Sequence, residues 1–370
     1  MTEREREILG ILRENPLINQ KDLAKQLGIE RSSVAVHITN LMKKGIIQGK
    51  GYIINDEKHV CVIGGSNVDI VGKASVLKAN DSAIGSIQLS AGGVGRNIAE
   101  AIARLEVPVK LLSAVGSDVH GELILKACRR VGVDVNQVHV DRMLSTSAYM
   151  AMLSGDGDMA YAINDMQNIT SVSAGYIREH QHMIKHASVV VIDANLTSEA
   201  LEMIGKFELK RLIADPVSAE KTDKLKPLLL NLYGLKPNRI EAQRLTGVKI
   251  ETLDDAVAAI DILHQQGVKH IALSMGADGL LASDQEQVIH FRNKAISAVN
   301  ATGAGDVFTA TWAASLQQGF NFFDAIKRSM IAARFNVQSE LTIHEALCKE
   351  QIEIDMKEVE IYENILRHPS

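Results

Sequence analysis

From residue 60 onward the chain repeats one unit, a short apolar run that stops on a glycine, serine, aspartate or lysine and hands over to a longer polar or amphipathic stretch. Val60-Cys61-Val62-Ile63 ends at Gly64-Gly65, residues 109–115 at Gly116, residues 189–192 at Asp193, residues 211–214 at Asp215-Pro216, Gly234-Leu235 at Lys236-Pro237, and residues 270–274 just before Gly276. Apolar runs this short are strands buried on both faces, and the segments between them, such as 97–105 and 254–266, carry helical apolar spacing. The alternation predicts an α/β domain with an open, mostly parallel sheet flanked by helices, whose ligands gather beyond the carboxyl ends of the strands. Residues 84–90 and 148–163 alternate as strands without helices of their own, and are expected to project as a small β lid.

The first 56 residues follow a different pattern. Thr2 and Glu5 form a capping-box pair ahead of Ile8, Leu9, Ile11 and Leu12, and Asn15-Pro16 ends that helix. A second helix runs from about Asn19 to Leu27 before Gly28. A third begins near Arg31, turns Val34, Ile38, Leu41 and Met42 inward and stops at Gly45. Ile46-Ile47, the turn at Gly49-Lys50-Gly51 and Tyr52-Ile53-Ile54 read as a hairpin. This order is similar to a small winged helix-turn-helix domain. In that geometry the third helix enters the major groove of DNA, with Arg31, Ser32, Ser33, Val36, His37 and Asn40 facing outward and Lys43, Lys44 and Lys50 near the phosphates. Charge agrees: residues 20–50 carry six lysines and arginines against Asp22 and Glu30, in a chain whose net charge is −5. The alternative is a helical module serving dimerisation.

Asn55-Asp56-Glu57-Lys58 is a polar connector, so two domains are expected, 1–56 and 59–370. A chain 46% apolar and 23% charged is neither disordered nor fibrous. No apolar stretch approaches a membrane span. The three cysteines, Cys61, Cys128 and Cys348, follow no disulfide or metal spacing, which suits a reducing, cytoplasmic setting.

The chemistry concentrates in Asn300-Ala301-Thr302-Gly303-Ala304-Gly305-Asp306, immediately before a helix-compatible run over 307–316. Two glycines and an alanine at a helix start leave several N–H groups free to converge on an anion, with the helix dipole behind them. Asp306 then stands beside the bound group, where a carboxylate can take the proton of an attacking hydroxyl.

This loop resembles the C-terminal signature of the ribokinase-like (PfkB) carbohydrate kinases, and four further motifs follow that family in order. Gly64-Gly65-Ser66-Asn67-Val68-Asp69 and Ala91-Gly92-Gly93-Val94-Gly95-Arg96-Asn97 resemble its substrate-binding segments. Pro237-Asn238-Arg239-Ile240-Glu241 resembles the segment that organises magnesium and its waters, and Ser274-Met275-Gly276-Ala277-Asp278-Gly279 the nucleotide turn. The resemblance implies an ATP-dependent kinase using Mg2+. Asp306 would be its base, with Gly303, Ala304 and Gly305 as the anion hole. Asn67, Asp69, Gly92, Gly93 and Asn97 would lie on the acceptor, and Asn238, Glu241, Ser274, Gly276, Gly279 and Thr302 around the nucleotide and metal. Asp193 and Asp215, each ending a strand, either line the phosphate side or brace the fold. Asn300 stands where the family usually has an aspartate near a monovalent-cation site, which leaves dependence on K+ open.

In detail, residues 92–100, 145–149 and 157–166 look like the family members that phosphorylate the C-linked nucleoside pseudouridine. Asn164 and Asp165 would meet the edge of the base. Another nucleoside such as inosine or uridine, or a free sugar, is the competing substrate, and a ligand-sensing regulator built on a kinase fold the competing class. Family relatives commonly dimerise through the lid, so a homodimer is expected.

Overall fold

The computed structural model describes residues 1–49, 58–76, 81–156, 158–294 and 296–367. They form two compact units, Met1–Lys58 and His59–Ser370.

In the first unit, α1 (Glu3–Glu14) starts at the reciprocal Thr2/Glu5 capping box, α2 (Gln20–Leu27) is capped by the Asn19 side chain and α3 (Arg31–Lys43) completes the bundle. Gly28, at φ 62°, supplies the left-handed turn between α2 and α3. Ile8, Leu12, Leu23, Val34, Ile38, Leu41 and Ile47 close the core, whereas Met42 is exposed rather than inward. Most of the expected hairpin falls at residues 50–57, outside the described residues.

The second unit is built on a nine-stranded sheet. In chain order the strands of this unit are β1 (Val60–Ile63), β2 (Asn67–Ala74), β3 (Gly85–Gly92), β4 (Val109–Leu112), β5 (Ala114–Gly116), β6 (His139–Asp141), β7 (Ala148–Leu153) and β8 (Met159–Asp165). They continue with β9 (Val189–Asp193), β10 (Leu212–Asp215), β11 (Gly234–Leu235), β12 (His270–Ser274), β13 (Leu280–Ser283), β14 (Val288–Asn293) and β15 (Ile361–Arg367). The large sheet runs β15-β14-β13-β12-β11-β10-β9-β1-β4, parallel from β12 to β4 and antiparallel across its β12–β15 edge. Val60 and Val62 enter one core with Ile98, Ile102 and Trp312, while Cys61 and Ile63 enter the other with Ile184, Leu201 and Leu235. Both faces are therefore covered by helices, as continuous apolar strands require. Chain order reverses at β1 and β9, so the crevice beyond their carboxyl ends is the topological switch point.

The single strand expected over 109–115 is broken at Ser113, whose buried hydroxyl bonds Gly64 O at 2.7 Å and Ser66 Oγ at 2.8 Å. The lid is a separate sheet, β3-β2-β7-β8. Its β2, which carries Asn67 and Asp69, hides in the sequence behind the glycine motif that precedes it.

Candidate active site

The carboxyl ends of β1, β9, β10 and β11 deliver Gly64-Gly65, Asp193, Asp215 and Lys236 to one crevice. Asp193, 1% exposed, accepts from Gly65 N and Gly95 N, both at 2.8 Å, and from Asn195 N at 2.9 Å. Its carboxylate is consumed in stapling the two glycine segments together, and a side chain at Gly64 would overlap it. The bracing alternative accounts for Asp193 fully. Asp215 accepts from Thr309 Oγ1 at 3.0 Å and Val217 N at 2.9 Å, and lies 3.4 Å from Lys236 Nζ. Val217 holds φ 67°, an outlier for a β-branched residue, at the turn that follows this carboxylate.

The glycine loop opens the helix Ala304–Gln318. Gly303 caps it at φ 80°, with its α-carbon so close to Thr342 O that any side chain would overlap that oxygen. Asn300 braces the loop, accepting from Thr302 N at 2.9 Å and donating to Glu340 O at 3.0 Å. In the first helical turn Asp306 Oδ2 accepts from Asn97 Nδ2 at 2.8 Å. Burial pushes the Asp306 carboxyl up to about 7, with Asp215 adding to the effect and Asn97 and Lys236 opposing it. A carboxylate poised there exchanges protons readily near neutral pH.

Lys236, 8% exposed, stands in the sequence only as the end of a short apolar run, with no role assigned to it. Burial works against its charge, yet Asp215, Glu241 and Asp306 outweigh it and hold the ammonium above its ordinary value. Its Nζ would stand 3.0 Å from a side chain built at Gly305, so the cation sits against the anion loop. Nothing but the tertiary fold brings the β11 end to that helix start.

A cavity of about 530 Å³ extends from Lys236, Ala304 and Gly305 past Asn238 to Ser274, Gly276 and Gly279. It joins the glycine loop to the expected nucleotide turn, and Met275, Leu280 and Phe308 add apolar surface to its lining. Asn238 and Glu241 form a capping box, Glu241 N to Asn238 Oδ1 at 2.9 Å and Asn238 N to Glu241 Oε2 at 2.8 Å. Thr302 is exposed beside this cavity's loop and does not line it. Among the described residues no three His, Cys, Asp or Glu side chains converge to hold a metal directly.

Where the acceptor is expected, Asn67 Nδ2 donates to Asp69 Oδ1 at 2.6 Å, and burial holds the Asp69 carboxyl above its usual range against Asn67 and Arg96. Gly92 and Gly93 are spatial requirements: a side chain at Gly92 would overlap Asp69 Oδ2, and one at Gly93 would reach Gly65 O at 2.5 Å. The lid register places Ser90, Asp69, Tyr149 and Asn164 in one cross-strand row, so their side chains share a face. Asp165 pairs with Ala148 and faces the other way, its Oδ1 accepting from Gln167 N at 3.1 Å. Of the two expected base-edge residues, Asn164 alone joins Asp69. The opposite face of the lid carries Ile87, Leu89, Met150, Met152, Tyr161 and Ile163, all exposed.

In the first unit Arg31, Ser32, Ser33, Val36 and Lys43 are exposed along α3. His37 is half-buried, its Nδ1 enclosed without a hydrogen-bond partner among the described residues. Lys44 differs from expectation, since its ammonium is held 2.7 Å from the buried Glu5 carboxylate and ties α3 to α1.

A switch-point crevice, a glycine loop at a helix start and a carboxylate tuned toward neutrality beside a buried lysine are the parts of a phosphotransferase. Residues 57–347 match the pfkB family carbohydrate kinase and residues 1–48 the winged helix-turn-helix DNA-binding family. The chain belongs to the pfkB family, with a winged helix-turn-helix domain at its front, and is a sugar or nucleoside kinase. An uncharacterized sugar kinase of Escherichia coli K12, YeiI, is 39% identical over 339 residues, covering 90% of this chain and 93% of that protein. The pseudouridine kinase of the same strain is 34% identical over 292 residues, covering 78% of this chain and 93% of its own. A carbohydrate kinase from Agrobacterium tumefaciens matches in structure with a TM-score of 0.72 at 27% identity, covering 83% of this chain and 100% of that one. Arabidopsis thaliana ribokinase complexed with ribose and ATP shares the fold at a TM-score of 0.68 and 24% identity, over 82% and 99% of the two chains. Among the described residues no helix is long and apolar enough to cross a membrane.

Proposed function

We propose that the second unit transfers the γ-phosphoryl group of ATP to the 5′-hydroxyl of a nucleoside, with pseudouridine as the preferred acceptor. The observation that carries the phosphoryl-transfer chemistry is Asp306, its carboxyl raised to about 7 at the mouth of the glycine loop and within the field of Lys236. Asp306 takes the hydroxyl proton as the acceptor oxygen bonds to the γ-phosphorus. The bond from that phosphorus to its bridging oxygen breaks and ADP leaves. The N–H groups of Gly303 and Gly305, together with Lys236, receive the charge on the moving group, while the Ala304 N–H closes the loop on Ala301 O at 3.3 Å. Asp215, Glu241 and Asp306 face one lysine, an excess of negative charge that suits a divalent cation. Asn238 and Glu241 would hold Mg2+ through its waters, and the ion would neutralise the ATP phosphates when bound.

A nucleoside is favoured over a free sugar by the row Ser90–Asp69–Tyr149–Asn164. Asp69 and Asn164 lie two strand spacings apart, about 10 Å, more than one furanose ring can use. Asp69 and Asn67 bind ribose hydroxyls, Tyr149 offers a ring surface and Asn164 an amide to the base. ADP release with Mg-ATP against pseudouridine, uridine, inosine, ribose and fructose 6-phosphate tests this reading. A preference for ribose or the hexose phosphate over every nucleoside sinks it. A preference for uridine or inosine replaces pseudouridine alone.

The apolar outer face of the lid supports a homodimer, since six exposed large apolar side chains on one small sheet are unusual in a monomer. The first unit binds DNA through α3, with Arg31, Ser32, Ser33 and Lys43 outward and His37 at the margin. Fluorescence anisotropy with a mixed-sequence duplex should detect binding that weakens steeply with salt and is reduced by Arg31→Glu and Lys43→Glu. Binding indifferent to both substitutions rejects that surface.

A further inference from the structure

Asn97 stands between two groups that fix its orientation when Asp306 is ionised, the form in which a base acts. A guanidinium donates and never accepts, and an ionised carboxylate accepts and never donates. Arg96 Nη1 lies 2.9 Å from Asn97 Oδ1, and Asp306 Oδ2 lies 2.8 Å from Asn97 Nδ2. Turned over, the amide would set its NH2 against the guanidinium and its carbonyl oxygen against the carboxylate, losing both bonds and facing like with like. Arg96 in turn cannot swing away. It is 5% exposed, and Nη1 also donates to Ala91 O at 3.0 Å. Its Nη2 is held by the buried Glu100 carboxylate, and the Cys128 thiol lies against it. Arg104 shares Glu100, with Nε 2.8 Å from Oε1, and anchors on Glu345 O at 2.6 Å. Positions 96, 100 and 104 recur at four-residue spacing on one face of the helix Val94–Arg104, a buried rail of alternating charge ending at Asn97.

We propose that Arg96 is a positioning residue of the phosphoryl-transfer site, locking the Asn97 amide so that both its N–H groups face the reacting groups. One N–H holds Asp306 Oδ2, which leaves Oδ1 as the oxygen that receives the proton. The other is presented to the acceptor, so the atom meeting Asn97 is a hydroxyl oxygen offering a lone pair. The Asn97 donor also favours the carboxylate form of Asp306, alongside Lys236 and against burial, Asp215 and Asp193.

The inference rests on Asp306 as the base, and its test separates the two. Arg96→Met combined with Glu100→Gln removes the guanidinium without leaving a net buried charge change, and Arg96→Lys serves as a second variant that keeps one donor. The full chain is assayed with Mg-ATP and the acceptor it turns over fastest. For the double variant the acid limb of kcat/KM moves up by about one pH unit, which costs roughly tenfold at pH 6. The KM for the acceptor rises, the KM for ATP stays, and Arg96→Lys falls between. The Asp306 carboxyl, followed by 13C NMR and assigned by the loss of its signal in Asp306→Asn, moves in the same direction whether or not turnover is measurable. A variant that loses thermal stability while the Asp306 midpoint and acceptor KM stay in place makes Arg96 a brace and overturns the proposal. Turnover retained in Asp306→Asn overturns the base assignment instead.

Discussion

Replacing Asp306 by asparagine keeps the shape of the side chain, and its carbonyl can still accept from Asn97, but it can no longer take a proton. General-base catalysis contributes about 10²- to 10⁴-fold, so turnover should fall by that factor and its acid limb, with a midpoint near 7 in the wild-type enzyme, should vanish. Stability should move the other way. Burial raises the folded-state carboxyl from 3.8 to about 7, so between those values the folded chain holds a proton that the unfolded chain has released. Folding stability therefore falls as pH rises through that window and stays lowered above it. The gap corresponds to at most about 4 kcal/mol, and the part of Asp306 open to the crevice brings the expected effect nearer 2 kcal/mol. Asparagine carries no such charge, so its advantage over the wild type should widen from pH 5 to pH 8 and appear as a few degrees in Tm. Scanning calorimetry at the two pH values, beside ADP release, reads both effects. An advantage that does not grow with pH would refute burial as the cause of the tuning, and near-wild-type turnover would remove Asp306 from the role of base.

The same geometry makes three further predictions. Gly92→Ala should drive the Asp69 carboxylate out of place and raise the acceptor KM at least about tenfold with the ATP KM unchanged, because the added carbon overlaps Asp69 Oδ2 and lies outside the cavity proposed for the nucleotide. Lys236→Met strips the ammonium that faces Asp215, Glu241 and Asp306; its acid limb should move to higher pH, and unfolding should become easier by about 3 kcal/mol, measured by urea titration. Ile87→Glu with Met150→Glu charges the outer face of the lid, and sedimentation velocity should show dimer giving way to monomer, whereas an unchanged species would assign that face to something else.

Much of this protein is written in short-range signals. Thr2 with Glu5, Asn19, Gly28 and the apolar spacing of Ile8, Leu12, Val34 and Ile38 are enough to place three helices, because caps and turns act within a few residues. The strands ending at Gly64, Asp193, Asp215 and Lys236, and the glycine loop before Asp306, are equally local. Their order along the chain is what makes the kinase resemblance legible. Other features depend on register and on chain segments far apart in sequence. β2 is masked by the glycine motif in front of it, and only its pairing with β3 and β7 shows that Asn164 shares the Asp69 face while Asp165 does not. Asp193 looks like a site residue until its oxygens are seen to be spent on Gly65 and Gly95. The ion pair of Lys44 with Glu5 joins residues 39 positions apart and shows only in the fold. Asp306 can be named from seven residues, but its tuning needs Asp215, Lys236 and Asn97, which lie 91, 70 and 209 positions away. Motif chemistry is a property of backbone geometry over one turn, whereas charge state and side-chain orientation are set by what the fold buries together.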